Sequence, residues 1–328
     1  MQKRIIILLA AILALTTVRI SAQDAHFSQF YANPLYLNPA FAGTNICPRI
    51  SLSFRDQWPS IHNAYMTYSA AYDQHFDKLA GGIGVIFVGD RQANIINTYQ
   101  ASLMYAFKLK VSKKFNMRLA LQATYMNISL DWNKLTFPDM IDPKYGFIWG
   151  TQEVQPANLS KHIFDISAGF IGYTDWLHFG LAVSHLTQPP VGFQSVSRMP
   201  VKWTAHVGGY FDLKRKSKKD RSFGDISISP NIIYQHQRFA DYFNYGFYLC
   251  FYPFTVGLNH RIDLRGETDA LIFVCGVQYD FIKVGYSYDI TLSKLANMTG
   301  GAHEVSLQFL LPCPAKQRVI RDLKCPGF

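Results

Sequence analysis

The sequence predicts an all-β protein: a transmembrane antiparallel up-and-down β-barrel of about fourteen strands, with an N-terminal segment in front of the first strand. Three observations carry this prediction: an export signal, a repeated two-residue alternation of apolar and polar side chains, and connections that alternate between short and long. The chain has 328 residues, of which 15 % are aromatic and only 16 % are charged. No stretch beyond the N-terminus approaches the roughly 18 apolar residues of a spanning helix, which excludes helical membrane proteins.

Residues 1–22 have the three parts of a secretory signal peptide. Lys3 and Arg4 form a basic start, the apolar run that follows is too short to span a bilayer, and Ser21 and Ala22 are small residues at a cleavage position. Cleavage after Ala22 removes three basic residues and lowers the formal net charge from +10 to +7. The alternative interpretation of this segment is a buried helix.

Strand-like alternation dominates the chain after residue 47. From Phe115 to Tyr125, for example, every second side chain is apolar or aromatic, and the side chains between them include Arg118 and Gln122. Such runs predict a barrel over residues 48–311 and leave the tail 312–328 in the periplasm. The strands are predicted to begin near residues 48, 63, 81, 97, 115, 162, 176, 200, 224, 242, 254, 269, 281 and 303.

The connections between these strands alternate in length. Those after the second, fourth, sixth, tenth and twelfth strands are tight, the others tend to be longer, and residues 129–161 form the longest. Short turns on one side and long loops on the other are typical of an outer-membrane barrel. The polar face is rich in Gly, Ser, Thr, Gln and Asn, which favours a lumen over the solvent face of a periplasmic or surface β-sandwich, the alternative fold.

A barrel of fourteen strands encloses a lumen that requires a plug, a ligand or water. Two segments could fill it: the pre-barrel segment 23–47 and the loop 129–161. The pre-barrel segment has two Asn-Pro steps and many aromatic side chains, so it is predicted either to pack within its own barrel or to contact a partner chain in the periplasm.

Polar side chains on the strands and at their ends are predicted to form a network in the lumen. His185 is interpreted as a strand-end hydrogen-bonding residue rather than a metal ligand. Tyr and Asp side chains of the late strands are expected to point into the same space. The predicted lumen network comprises Arg55, His185, Tyr286, Tyr288, Asp289, His303 and Glu304.

No motif in the sequence indicates catalysis or a cofactor. The chain lacks the GxSxG nucleophile elbow and the GxxxxGK[ST] phosphate loop, and its ten histidines show no metal-ligand spacing. We therefore predict a non-enzymatic protein without cofactor or metal, with an outer-membrane lipase as the alternative class. Cys250 and Cys275 lie in predicted strands, whereas Cys47, Cys313 and Cys325 are candidates for a disulfide in an exported protein.

The densest basic stretch lies between two predicted strands and includes Lys214, Arg215, Lys216, Lys218, Lys219 and Arg221. It is interpreted as a solvated turn or as a docking site for an acidic periplasmic partner. Nucleic acid is not expected as a partner, because an exported protein meets little of it.

Several short motifs recur in a fixed order along the chain. They are Gln29, Asn33-Pro34, Asn38-Pro39-Ala40 and Gly43, then Arg55 to Trp58, Gly81 to Gly84, His185 to Pro189, and Gly285 to Asp289 with Ser293, Leu295 and Gly300 to Glu304. In this order they resemble the PorP/SprF family of outer-membrane proteins found with type IX secretion in Bacteroidota, and PorP more than the gliding-associated members. The tail after residue 311 has no counterpart in the family, and Ala302 stands where the family often has Ser.

The resemblance implies an outer-membrane component of the type IX machinery that docks the periplasmic ring lipoprotein and its associated proteins. It also implies support for the export of cargo with C-terminal signals to the cell surface. The predicted partners are outer-membrane lipids, the ring proteins and the secreted cargo. The alternative functions are a channel or transporter for small hydrophobic solutes and a surface anchor that uses loop 129–161. The residues predicted to dock partners are Asn33, Pro34, Asn38, Pro39, Lys214, Arg215, Lys216, Lys218, Lys219 and Arg221.

Overall fold

The computed structural model describes residues 24–45, 47–61, 64–112, 114–193, 197–214, 223–264, 268–292 and 296–313. The predicted signal peptide, most of the basic stretch at 215–222 and most of the C-terminal tail lie outside these residues. Within the described residues, no helix is long and apolar enough to cross a membrane.

Fourteen long strands of the described chain form one closed antiparallel barrel, as predicted. Strand β11 pairs with one end of β12 but is not one of the fourteen barrel strands, and β6 and β7 form a separate small hairpin. The barrel strands are β1 (Arg49–Gln57), β2 (Tyr65–Phe76), β3 (Gly81–Gln92), β4 (Ile96–Lys110), β5 (Asn116–Leu130), β8 (Ser160–Tyr173), β9 (Leu177–Ser184), β10 (Lys202–Gly209), β12 (Ile226–Gln237), β13 (Ala240–Phe251), β14 (Phe254–Asp263), β15 (Thr268–Tyr279), β16 (Ile282–Thr291) and β17 (Ala302–Leu310). The additional strands are β6 (Ile141–Asp142), β7 (Gly146–Phe147) and β11 (Phe211–Lys214).

The barrel closes through the pairing of its first and last strands, and two further pairings, β5 with β8 and β10 with β12, pass over the additional strands. The first and last strands, β1 and β17, pair from Arg49 opposite Leu310 to Gln57 opposite Ala302. Strands β10 and β12 pair directly across the basic turn, so β11 lies beyond the ring as a continuation of β10. Closure leaves the fourteen-stranded ring without an open edge, which is what a spanning sheet requires.

The two ends of the barrel differ in the length of their connections. One end carries both ends of the barrel chain together with the tight turns at residues 77–80, 111–115, 174–176, 252–253 and 280–281. The opposite end carries the longer connections at 58–64, 131–159, 185–201 and 292–301, and three short ones at 93–95, 238–239 and 264–267. By the rule for outer-membrane barrels, the end with the tight turns is the periplasmic end and the other is the extracellular end.

The two faces of each strand follow the predicted alternation. On β5, the outward side chains Leu119 and Leu121 keep 52 % and 66 % of their surface exposed, whereas the inward Arg118 and Thr124 are buried. The same pattern recurs around the ring, so the outer surface is apolar and suited to acyl chains.

The N-terminal segment occupies the lumen. We call residues 24–45 the plug; it contains the one-turn helix α1 (Pro34–Leu37) and a 3-10 helix over Pro39–Phe41. Asp24 contacts Gln237 at the extracellular end, and Gly43 contacts Asp73 near the periplasmic end, so the plug runs through the barrel from top to bottom. The hydrophobic core lies between plug and wall. It includes Phe30, Tyr31, Leu35, Leu37 and Phe41 from the plug and Met104, Ile171, Tyr248, Ile272 and Val274 from the wall.

The loop 129–161, which was the other candidate for filling the lumen, faces away from the lumen. Its hairpin of β6 and β7 leaves large apolar side chains exposed, among them Ile141, Tyr145, Phe147 and Trp149. A second one-turn helix, α2 (Ala296–Thr299), lies in the connection between β16 and β17.

A disulfide joins the two ends of the barrel chain. Cys47, just before β1, is bonded to Cys313, just after β17. Of the pairings that the sequence left open, this is the one present, and Cys325 lies outside the described residues. Cys250 and Cys275 are reduced and lie in β13 and β15.

Candidate functional site

The contacts between the plug and the barrel wall form the candidate site. Polar groups of the wall hold the plug at four places: near the extracellular end, at the pairing of β1 with β17, at the middle of the plug, and near the periplasmic end. A buried polar group costs free energy unless it is hydrogen-bonded, so these contacts decide where the plug can lie.

A buried cluster of charged side chains lies where β1 meets β17. Arg55 donates from one nitrogen to Asp289 at 2.8 Å and from the other to Glu304 at 3.2 Å, and all three side chains are at most 2 % exposed. Arg55 and Glu304 are register partners on the two closing strands, and Asp289 lies on β16. Removing Arg55 would leave buried carboxylates without their cation, which costs about 3–5 kcal/mol.

The plug binds directly to this charged cluster. The backbone N–H groups of Ser28 and Gln29 donate to the two carboxylate oxygens of Glu304 at 2.7 and 3.0 Å. The Ser28 hydroxyl donates to Asp289 at 2.6 Å and accepts from Arg55 at 2.8 Å. Glu304 therefore joins the plug to the closing strand of the barrel.

The Gln29 side chain completes this level. Its amide donates to the Glu304 backbone carbonyl at 2.8 Å, and its carbonyl accepts from the Ser306 hydroxyl at 2.6 Å. Gln308, the next inward residue of β17, donates to the Ala32 carbonyl at 2.7 Å. Plug residues 28–32 thus lie along the inner face of β17.

A second arginine extends the charged cluster around the wall. Arg261 on β14 lies 3.4 Å from Asp289 and makes a shorter ion pair with Asp269 on β15. It also lies 3.4 Å from the Ser28 hydroxyl. Two arginines therefore face three carboxylates around one plug serine.

The extracellular end holds the start of the plug through a second ionic group. His185 lies between Asp24 of the plug, at 3.0 Å, and Asp165 of β8, at 2.8 Å. Lys202 lies 3.4 Å from Asp24, and Gln237 accepts from the Asp24 backbone N–H at 3.1 Å. His185 lies at the extracellular mouth of the barrel, and its ion-pair partners differ from those of Arg55.

The charges of this ionic group shift the pKa values of its own members, His185 and Asp24. Burial disfavours the protonated His185, but the carboxylates of Asp24 and Asp165 outweigh it and raise the pKa of His185 to about 9. Burial likewise opposes ionisation of Asp24, yet His185 and Lys202 hold the pKa of that carboxyl well below its ordinary value. At neutral pH the group is therefore an ion pair.

The middle of the plug is held by the two asparagines of the Asn-Pro steps. Asn33 donates to Ser69 of β2 at 2.7 Å. Asn38 donates to the carbonyls of Phe170 and Leu181 at 3.0 and 3.2 Å, and its own carbonyl accepts from Ala40 at the start of the 3-10 helix.

Near the periplasmic end, the wall binds the backbone where the plug turns into β1. Arg118 of β5 donates to the carbonyls of Ala42 and Gly43 at 2.7 and 2.6 Å. Asp73 of β2 accepts from the Gly43 N–H at 2.8 Å and from Arg49 at 2.8 Å. The sequence prediction missed Arg118 and Asp73, although their position on the inward-facing alternation of their strands was a signal that could have found them.

Four residues predicted to dock a partner lie inside the barrel instead. Asn33, Pro34, Asn38 and Pro39 are buried in the plug, and both asparagines bond to the barrel wall. The Asn-Pro steps fit a chain that must turn repeatedly inside a narrow space. Of the predicted basic docking residues, Lys214 is exposed at the end of β11, and Arg215, Lys216, Lys218, Lys219 and Arg221 lie outside the described residues.

The predicted lumen network is divided between the two faces of the wall. Arg55, Asp289 and Glu304 come together in the lumen, and His185 lies at its mouth. Tyr286, Tyr288 and His303 instead face outward, where the Tyr286 hydroxyl lies 2.8 Å from the His303 ring. The reason is the two-residue period: if Asp289 and Glu304 point inward, residues an odd number of positions away on the same strand must point outward.

Little space remains between the plug and the wall. A cavity of about 20 Å³ lies beside Phe30 and Tyr242, and one of about 40 Å³ lies below Asp24 and His185. Each has room for one or a few water molecules.

The comparison with protein families agrees with this architecture. The model of the type IX secretion system membrane protein PorP/SprF matches residues 20–309. The chain belongs to the PorP/SprF family. As a PorP/SprF member with an outer-membrane barrel fold, it is a membrane protein of the type IX secretion family and is located in the outer membrane. Among curated proteins, none matches the chain significantly.

Solved structures similar to this PorP/SprF chain include an outer membrane protein and two porins. The Acinetobacter baumannii outer membrane protein Omp33 aligns with a TM-score of 0.44 at 8 % identity, over 82 % of this chain and 100 % of its own. The KdgM porin aligns with a TM-score of 0.36 at 8 % identity, over 80 % and 99 %. A mutant of the Rh. blastica porin aligns with a TM-score of 0.35 at 6 % identity, over 80 % and 98 %. Nothing about function follows from likeness at this level.

Proposed function

We propose that this chain is a non-enzymatic docking component of the type IX machinery that binds the periplasmic ring lipoprotein and supports export of cargo with C-terminal signals. The observation that carries the proposal is the plug. A barrel whose lumen is filled by its own buried segment is suited to a scaffold rather than to a conduit, so cargo would pass elsewhere and depend on this chain indirectly.

The periplasmic end offers a surface suited to docking. All four side chains of β11 are exposed, which means that this strand projects beyond the ring of the barrel. The ring of Phe211 on β11 lies 6.1 Å from that of the exposed Trp176 in the adjacent turn, and Leu213 of β11 is exposed as well. Exposed apolar patches of this kind mark interaction sites.

Charge defines the partner that this surface fits. Lys214 ends β11, and the sequence continues into Arg215, Lys216, Lys218, Lys219 and Arg221. An apolar patch beside a run of cations suits a partner that presents acidic and apolar side chains. Each exposed ion pair contributes only about 0–1 kcal/mol, so several must act together with the apolar contacts.

The alternative, a channel for small solutes, has no observation in its favour. The cavities beside the plug hold at most a few water molecules. A transporter of this design would have to move the plug for each solute, against the buried ionic contacts of Asp24, Arg55 and Glu304.

The experiment replaces the six basic residues Lys214, Arg215, Lys216, Lys218, Lys219 and Arg221 with glutamine and measures co-purification with the periplasmic ring lipoprotein. A matched control replaces exposed cations of the extracellular end, Lys134, Lys144 and Arg238, with glutamine. We expect the first variant to lose the ring protein and the control to keep it, with both present in the outer membrane as heat-resistant barrels.

Secretion supplies the second readout. Deleting the gene should leave cargo with C-terminal signals inside the cell, and the six-residue variant should do so partly. Normal secretion in the deletion strain would refute the export role, and unchanged co-purification of the six-residue variant would refute the docking surface.

A further inference from the structure

Three pairs of tyrosine and histidine recur on the outer surface of the barrel, away from the plug. The Tyr125 hydroxyl lies 2.6 Å from Nδ1 of His162. The Tyr245 hydroxyl lies 2.9 Å from Nδ1 of His260, and the Tyr286 hydroxyl lies 2.8 Å from Nδ1 of His303. In each pair the two residues lie on neighbouring strands.

An arginine on another barrel strand also lies on the outer surface beside tyrosines of the neighbouring strands. Arg91 of β3 is exposed, and its guanidinium interacts with the hydroxyls of Tyr68 and Tyr99 on the two flanking strands. We call His162, His260, His303, Arg91 and their partners Tyr68, Tyr99, Tyr125, Tyr245 and Tyr286 the outer belt.

The outer belt lies at one level of the membrane. Tyr125, Tyr245 and Tyr286 each lie five residues from the extracellular end of their strands, which are Leu130, Ala240 and Thr291. On β8 the outward side chains Phe170, Ala168, Ile166 and Phe164 are apolar until His162, and on β17 Phe309, Leu307 and Val305 precede His303. On these two strands the histidine is the first polar outward side chain, whereas Ile262 on β14 and Ile290 on β16 continue the apolar face beyond the pair.

The hydrogen bonds fix which ring nitrogen carries the proton. At His162 the Tyr125 hydroxyl and the Asn127 amide, 3.2 Å away, converge on Nδ1, which assigns that nitrogen as the acceptor, and the same tautomer is assigned to His260 and His303. The proton then lies on Nε2, on the far side of the ring. Each pair presents an N–H donor to its surroundings, beside a tyrosine that holds the ring in place.

We infer that the outer belt binds phosphate-bearing headgroups of lipids in the outer leaflet. The members lie on β3, β8, β14 and β17, which are spread around the whole ring rather than gathered on one side. A single protein partner would contact one side, whereas a lipid leaflet surrounds the barrel at one level. Imidazole and guanidinium N–H groups at that level match phosphate oxygens, the strongest acceptors among headgroup atoms.

The test measures lipid retention by the purified full-length barrel in detergent, using native mass spectrometry. The probes are dioleoylphosphatidic acid, which has an exposed phosphate, and dioleoylphosphatidylcholine, which has the same acyl chains and a shielded one. Wild type should retain the first in preference to the second. Since one hydrogen bond contributes a factor of about five, the triple variant H162Q/H260Q/H303Q should lose most of that preference.

His236 supplies the matched control. It lies on the outer face near the extracellular end of β12. Its Nδ1 lies 2.6 Å from the carboxylate of Asp241, so its partner is an acid rather than a tyrosine. The variant H236Q should keep the wild-type preference. A second variant, Y125F/Y245F/Y286F, retains the rings but removes the hydroxyls that fix the proton on Nε2, and should lose part of the preference.

The outcomes separate the sources of phosphate. Heat-dependent mobility on gels first establishes that each variant is a folded barrel. Equal retention of both lipids by wild type, or an undiminished preference in the triple variant, would overturn the inference. Competition by millimolar inorganic phosphate that abolishes lipid retention would also overturn it, because the site would then serve a soluble anion.

Discussion

Arg55 and Glu304 are register partners on the first and last strands, which close the barrel, and Nη1 of Arg55 lies 3.2 Å from Oε2 of Glu304. Glu304 also accepts the backbone N–H groups of Ser28 and Gln29 from the plug. One carboxylate thus takes part in two separate events of assembly, the closure of the sheet and the placement of the plug. Loss of its charge should disturb both.

The variant E304Q should destabilise the barrel by about 1–3 kcal/mol, the cost of a buried donor without a partner, because a glutamine amide cannot accept from both plug N–H groups. Glutamine keeps the volume and one acceptor oxygen, but its NH2 group is a donor and would face the N–H of Ser28 or Gln29. The measurement is the urea midpoint of the barrel in lipid vesicles. The exposed Glu153→Gln serves as the control and should change nothing, whereas equal midpoints for E304Q and wild type would contradict the role of this carboxylate.

The variant G169A should displace the plug. A Cβ at Gly169 would meet the side-chain oxygen of Asn38 and come within 2.8 Å of Cγ of Pro39, both in the plug. Neither residue can retreat easily, since Asn38 is bonded to two wall carbonyls. We expect ionic conductance in planar bilayers that wild type lacks. Gly150 has no neighbour within 4 Å of such a Cβ, so G150A should behave as wild type; a silent G169A barrel would mean that the plug tolerates the shift.

Removal of the plug should convert the barrel into a pore. A chain lacking residues 24–44 would expose the inward polar side chains of the wall, including Arg118, Asp73 and Arg55, to water. Fourteen strands without the plug leave space for an aqueous path. Single-channel recording should show openings in this variant and none in wild type. Equal conductance of the two proteins would mean that the plug does not seal the lumen.

The ionic group at the extracellular end predicts a loss of stability at alkaline pH. The pKa of folded His185 is raised to about 9 from an ordinary 6.5, so its contribution is complete below pH 6.5 and is lost as pH rises through 9. It amounts to at most about 3 kcal/mol. The unfolding midpoint should therefore fall between pH 6.5 and 9 in wild type.

The variant H185Q tests the source of that alkaline loss. It should be less stable than wild type at pH 6.5 and should show a flatter profile up to pH 9. The lowered pKa of Asp24 acts in the opposite direction, since its contribution is present above pH 3.8 and is lost as pH falls further. A profile of H185Q parallel to that of wild type would assign the alkaline loss to another group.

Much of the fold was predictable because its cause is local. The alternation of side chains along each strand identified the barrel and its fourteen strands, and the predicted starts near 81 and 254 coincide with those of β3 and β14. The same local rule assigned Arg55, Asp289 and Glu304 to the lumen, where the three side chains meet in the structure. It was misapplied to Tyr286, Tyr288 and His303, which were grouped with their sequence neighbours although the two-residue period sends them to the other face.

The sequence by itself therefore determined the strands, their faces and the charged character of the lumen, since each depends on residues within a few positions of one another. Only the tertiary structure decided what fills the lumen and in which direction the plug runs. The hydrogen bond from Ser28 to Glu304 joins residues 276 positions apart, and no local pattern encodes such a pairing. It depends on the closure of the ring, which brings β17 beside β1 and leaves the plug, rather than solvent, to satisfy the buried polar groups of the wall.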